Sequence, residues 1–154
     1  MRVRGLHAPT ANSSGLAGLA TYFNFTARAA SRLATRWATT MNQILYDELA
    51  RLARARSLAA YSDVSPLVGL SMENESDREE IARLLGEIAV YEHSEGRPML
   101  TALIVHRGND NNPGEGFFSI AHELGLYNGR RDQLARLTFW ANQVTDVHNY
   151  WRNA

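Results

Sequence analysis

Residues 96–106 read Gly-Arg-Pro-Met-Leu-Thr-Ala-Leu-Ile-Val-His, and their reading decides the fold. From Pro98 to His106 the run is short and almost continuously apolar, the mark of a strand buried on both faces. Gly96 closes whatever precedes it. The loop 107–116, with its Asn-Asp-Asn-Asn-Pro-Gly core, is a turn. A lone strand cannot satisfy its own backbone N–H and C=O groups. It needs a partner, either 116–118, 59–61 or a second subunit.

Helices surround this strand. Ile44, Leu45, Leu49 and Leu52 recur at helical spacing and predict a helix over 42–57. Asp47 and Glu48 come early in it and Arg51, Arg54 and Arg56 late, an order that complements the helix dipole. Ser62 as N-cap, Pro66 in the first turn and Gly69 at the end predict a short second helix. Ser76 and Glu79 spell an S-x-x-E capping box for a third, over 77–95, with Ile81, Leu84, Leu85, Ile88 and Tyr91 on its apolar face. Residues 117–124 read as a short helix closed by Gly125. The last helix, 131–152, places Leu134, Leu137, Trp140, Val144, Val147 and Trp151 on one face. The fold class expected is therefore mostly α with a small β element (α+β): four to five helices and one clear strand.

Charge divides the chain. There are 16 basic residues, all Arg, and 16 acidic ones, yet every carboxylate lies after residue 46. From Met41 onward 11 Arg face 16 Asp and Glu, a net charge near −5. Two parts are expected: a basic, acid-free leader or extension over 1–40, and a single acidic globular domain over 41–154. The leader reads as partly disordered, with an amphipathic helix at 22–38 that sets Phe23, Ala30 and Trp37 against Arg28, Arg32 and Arg36. Such a helix suits an anionic membrane surface, a partner groove or organelle import. The other reading is an extension upstream of a natural start at Met41. Absence of Cys excludes disulfides, thiolate catalysis and sulfur-ligated zinc, and fits a reducing, cytoplasmic compartment. Absence of Lys removes Schiff-base chemistry and Lys-dependent phosphate loops. No apolar run approaches the ~18 residues that span a bilayer, and no cofactor motif is present.

Glu92 falls on the apolar face of the third helix, where an unpaired carboxylate would be costly. It must pair, with Arg97 or His93 nearest in sequence, unless the helix frays there. It then either braces the Gly-Arg-Pro turn or serves as a general base or metal ligand. His106 ends the strand beside the 110–115 loop. Glu92, His106 and Glu115, with Asp110, could hold a divalent metal for phosphodiester hydrolysis. His122-Glu123-Leu124-Gly125-Leu126 begins like a zinc-protease helix, but Leu126 replaces the second His and excludes it. His148 reads as a core histidine. Pro113-Gly114-Glu115-Gly116 before a helix could form an anion nest, which Glu115 opposes. Phe139, Trp140, Tyr150 and Trp151 give the last helix two aromatic faces, one for the core and one for a second subunit or other protein partner.

Helix, short helix, longer helix, strand and turn is also the order of a winged helix, with 107–116 as the wing. Ala60-Tyr61-Ser62-Asp63-Val64, Leu67-Val68-Gly69 and Ile104-Val105-His106-Arg107-Gly108 resemble alkyltransferase-like DNA-repair domains. Val105 stands where those enzymes use Cys, so the resemblance implies only a non-catalytic DNA-binding relative. Gly96-Arg97-Pro98-Met99-Leu100, Ile104-Val105-His106 and Pro113-Gly114-Glu115-Gly116-Phe117-Phe118 look like a pattern in small uncharacterised bacterial proteins, to which no activity attaches. For nucleic acid the candidate contacts are Arg97, Arg107, Arg130 and Arg131. Against them, Asp77, Glu79, Glu80, Glu87, Glu92 and Glu95 would make the third helix repel phosphate. Two functions are expected from this: a small non-catalytic regulatory or interaction protein with a winged-helix-like core, associated with nucleic acid, or a metal-dependent hydrolase or nuclease centred on Glu92 and His106.

Overall fold

A computed structural model describes residues 40–108 and 110–154, so the expectations for the segment 1–39 lie outside the described residues. These residues form five α-helices: α1 (Gln43–Arg54), α2 (Tyr61–Val64), α3 (Glu75–Ser94), α4 (Glu115–Glu123) and α5 (Gln133–Trp151). Two short strands, β1 (Ala59–Ala60) and β2 (Ile104–Val105), make a two-stranded parallel sheet. The mostly helical class with a small sheet is what the apolar periods predicted. No described helix is long and apolar enough to cross a membrane.

The central run differs from its expected form. Only Ile104 and Val105 are strand, paired with Ala59 and Ala60. Leu100–Leu103 before them is a 3-10 turn. Continuous apolarity here reflects burial from every side rather than extension, because Leu100, Ala102, Leu103 and Ile104 are all fully buried. The pairing stops where β1 runs into α2. The remaining backbone groups find other partners, as buried polar groups must. Gln143 Oε1 accepts from the Met99 N–H at 3.0 Å, and Trp140 Nε1 donates to the Ala102 carbonyl at 2.8 Å.

Caps set the helix starts. Asn42 accepts from the Leu45 N–H at 3.0 Å, and Asp132 from the Ala135 N–H at 2.9 Å. The Ser76/Glu79 capping box does not form, since α3 already begins at Glu75 behind Asn74. The Asp77 carboxylate instead holds the preceding turn, accepting from the Ser71 N–H at 2.9 Å and the Asn74 amide at 3.1 Å. Beyond α2, Pro66 starts a 3-10 turn (Ser65–Val68) that Gly69 ends at φ +74°.

Two apolar clusters share the central run. Leu100, Leu103 and Ile104 pack with Leu45, Ile81 and Ile88. Met99 and Ala102 pack with Phe117, Phe118 and Tyr127. Ile44 lies outside its expected stripe and is exposed, as is Leu134 at the start of α5. Of the aromatic side chains on α5, Trp151 is buried and Phe139 and Trp140 are partly buried. Phe139 meets Tyr127 at 4.9 Å and Phe117 at 5.9 Å, while Trp151 meets Tyr46 at 6.2 Å. Tyr150 alone of the four stays substantially exposed.

His148 is buried, and burial pulls its imidazole below the usual 6.5, as it does for His93. Both rings bind protons more readily in the unfolded chain. Their contribution to stability is therefore complete above about pH 6.5 and is lost as pH falls through that value toward the lower folded one. The depressed carboxylates Glu48, Asp77, Glu80 and Glu115 act only below about pH 4.5. Urea unfolding should show stability falling between pH 7 and pH 5.5, with a smaller fall in the His93→Gln/His148→Gln variant. An equal fall in both proteins would contradict the assignment.

Candidate functional site

Glu92 is completely buried on the last turn of α3. Gly96, at φ +69°, turns the chain back so that the Arg97 N–H reaches the Glu92 carbonyl at 2.9 Å. The Arg97 guanidinium then forks onto the Glu92 carboxylate, Nη2 to Oε1 at 2.7 Å and Nε to Oε2 at 3.0 Å. Tyr46, from α1, donates its hydroxyl to Oε1 at 2.9 Å. Burial, with the Glu92 charge beside it, pushes the Tyr46 hydroxyl well above its ordinary range. The hydrogen bonds that Arg97 donates to Glu92 raise its guanidinium, against the opposing effect of burial. Arg97 also lies over the Tyr91 ring, 5.1 Å from its centre. A carboxylate so engaged, and shut off from solvent, braces the turn.

His106 occupies different surroundings. The β-pairing of Ala60 with Val105 puts the next residues of each strand, Tyr61 and His106, side by side. Their rings stack at 4.6 Å and 27°. The His106 N–H closes the following loop on the Asn112 carbonyl at 2.8 Å. Gly114, the N-cap of α4, presses against this pair. A Cβ there would stand 2.9 Å from His106 Nε2 and 3.0 Å from the Tyr61 hydroxyl, so the approach requires glycine. Burial raises the Tyr61 hydroxyl, and the Gly114 backbone opposes that shift through a hydrogen bond.

A cleft of about 560 Å³ opens beside this stack. Its walls come from α3 (Ile81, Ala82, Leu85, Gly86) and α4 (Gly116, Phe117, Ser119, Ile120), and Met72, Thr101, Arg78 and Arg107 also border it. Arg107 pairs with Asp63 at 2.7 Å, and Arg78 donates to the Met72 and Glu73 carbonyls at 2.8 and 3.1 Å. Glu115 is forked by Arg136 at 2.5 and 3.0 Å, which lowers its carboxyl. Thr101 is 7% exposed, and its hydroxyl has no hydrogen-bond partner among the described residues.

The candidates read from sequence are thus separated. His106 and Glu115 border the cleft, whereas Glu92 is spent on Arg97 and Tyr46. No group of three or more His, Asp or Glu among the described residues is arranged to hold a metal ion. Each of the four Arg candidates lies near a carboxylate. Arg97 pairs with Glu92, Arg107 with Asp63 and Arg130 with Asp132 at 2.9 Å, while Arg131 lies near enough to Glu115 to help lower it. Sequence reading missed Tyr61, Thr101, Gly114 as a steric requirement, and Gly86. One signal was present, since a mid-helix glycine costs about 1 kcal/mol and so asks for a reason. No protein-family model matches this chain, and neither a curated protein nor a solved structure matches it.

Two substitutions separate brace from cleft. Glu92→Ala should cost about 3–5 kcal/mol in urea unfolding, because Arg97 loses its forked partner and keeps only the longer 3.6 Å pair with Glu95. Replacing both Glu92 and Arg97 by Met should recover most of that loss, and equal loss in the two variants would contradict the assignment. Gly114→Ala should change stability by less than about 1 kcal/mol, since the atoms it meets are side-chain ends that can move. It should nevertheless part the stack, seen as loss of the Tyr61 ring-current shift on the His106 ring protons.

Proposed function

We propose that this protein is a small, non-catalytic regulatory or interaction protein that works by holding a small, largely apolar ligand in the cleft between α3 and α4. The observation that carries this is the cleft itself. Its 560 Å³ falls within the ~300–1,000 Å³ range of small-molecule sites. Apolar side chains supply the walls, and polar groups converge where Tyr61, His106 and the start of α4 meet. His106 stacks on Tyr61 and makes no side-chain hydrogen bond to a described residue that would activate a nucleophile. A binding role needs no such pairing.

The order α1, α2, α3, β2 supports a winged-helix-like reading of the core. The parallel pairing of β2 weighs against a conventional wing, which is an antiparallel hairpin. Nucleic-acid association ranks below small-ligand binding. The arginines that would contact phosphate are matched to carboxylates, and α3 presents Glu79 and Glu80 to solvent. The hydrolase reading loses its support with Glu92 committed to Arg97.

Gly86 offers the test. A Cβ there meets nothing within 4 Å, and Gly86 borders the cleft, so a larger side chain at this position takes up cleft space. Removing a mid-helix glycine also favours the fold by about 0.5–1 kcal/mol. Indole titrated into the 15N-labelled protein should shift amide signals of residues 82–86 and 116–120, and Gly86→Leu should abolish those shifts without lowering Tm. Identical shifts in the Gly86→Leu variant, or none in either segment of the wild type, would end the proposal.

A further inference from the structure

We propose that, when no ligand is bound, the cleft between α3 and α4 holds a segment of this same chain, residues 30–37, laid in as one face of a helix. The proposal rests on the cleft being a binding site and names the partner that occupies it.

The segment lies outside the described residues, and its sequence supplies the first observation. Ala30, Leu33, Ala34 and Trp37 stand at i, i+3, i+4 and i+7, the spacing by which an amphipathic helix anchors in an apolar groove. The groove matches in kind and in length. Ile81, Leu85, Phe117 and Ile120 give it apolar walls. On α3 it runs from Arg78 to Gly86, about 12 Å at the helical rise, and the step from Ala30 to Trp37 covers about 11 Å. Gly86 and Gly116 withhold side chains from the two walls, and the alanines of the segment add little bulk, so the backbones can approach closely.

The second observation is charge. Residues 1–39 carry five Arg and no carboxylate, whereas from Met41 onward 11 Arg face 16 carboxylates, a net charge near −5. The imbalance reaches the cleft. At about 100° per residue Glu75 and Glu79 share one row of α3 with Ala82 and Gly86, and both are exposed. Glu123 borders the cleft from α4. None of the three joins an ion pair of the described residues. With Ala30, Leu33 and Trp37 turned inward, Arg28, Arg32 and Arg36 fall on the outer face, where long side chains can extend toward these carboxylates. The two cations on the border are already engaged, Arg107 by Asp63 and Arg78 by two backbone carbonyls.

The third observation is the tether. Trp37 lies three residues before Thr40, where the described chain begins. Met41 is buried in the cluster that also contains Ile81, Leu85 and Met72 of the cleft. A short link gives the segment an effective concentration on the order of millimolar, which suits a weak contact that a ligand can displace.

The test uses the full 15N-labelled chain and its Leu33→Ser/Trp37→Ser variant, which leaves every described residue in place. The substitution should shift the amide signals of residues 82–86 and 116–120. Arg28→Glu/Arg32→Glu/Arg36→Glu should move the same signals in the same direction. Indole should bind the Leu33→Ser/Trp37→Ser variant about threefold tighter or more, because the segment no longer competes for the cleft. If cleft signals and indole affinity are the same in wild type and variant, the proposal is overturned, while indole shifts at the cleft leave the ligand-site reading standing. If indole shifts neither segment in either protein and the substitution moves no cleft signal, both are overturned. Cleft shifts that vanish on dilution, with a doubled mass in sedimentation, would place residues 30–37 in the cleft of a second copy and overturn the arrangement within one chain.

Discussion

The fold depends on the buried contact among Glu92, Arg97 and Tyr46. Taking a carboxylate and a guanidinium out of water is unfavourable by several kcal/mol per ion, and good geometry is needed to offset it. The geometry is present, with forked hydrogen bonds at 2.7 and 3.0 Å and the Tyr46 hydroxyl at 2.9 Å. The contribution goes beyond stability. The contact ties the end of α3 to α1 and determines where the chain leaves the Gly96 turn. From there Met99 and Leu100 enter their two apolar clusters, and Ile104 and Val105 arrive in register with β1. That register places His106 on Tyr61. A shift of one residue would exchange the faces of the central run and separate the two rings.

How much of this was legible from sequence follows from the range of the forces involved. Glu92 could be recognised as buried because a carboxylate interrupting the stripe of Ile81, Leu85 and Ile88 violates a local period. Arg97 could be named because it lies five residues away. Tyr46 could not, being 46 residues distant and on another helix. The length of the strand failed for a related reason. Residues 98–105 are mostly apolar because neighbouring elements pack on them from several sides, and composition reports burial without reporting conformation. Only the shortness of β1, a tertiary fact, limits β2 to two residues. The Ser76/Glu79 box failed against a competing local solution, as Asp77 satisfies the turn at Ser71 and Asn74 and draws the helix start two residues earlier.

The arginines illustrate the same limit in electrostatics. Counting charge suggested a basic patch, but pairing decides whether charge is available. Arg51 pairs with Glu48, Arg83 with Glu80 and Glu87, and Arg136 with Glu115. Most such exposed pairs contribute little to stability. Six of the eleven described arginines, Arg51, Arg83, Arg97, Arg107, Arg130 and Arg136, are paired with carboxylates in this way, whereas Arg54, Arg56, Arg78, Arg131 and Arg152 make no ion pair. In a domain that carries an excess of carboxylates, such pairing weakens the field that would draw polyanions.

Glu92 has every oxygen occupied and no route to solvent, so its chemistry is complete within the fold. Burial alone would rank this carboxylate as a functional residue, one of the two readings its place in the sequence allows. Its pairing favours the other, since a buried charge that the fold has already answered holds the structure together. The cleft is marked instead by omission: Gly86, Gly114 and Gly116 each withhold a side chain from it or its rim, and in α3 that omission costs helix stability.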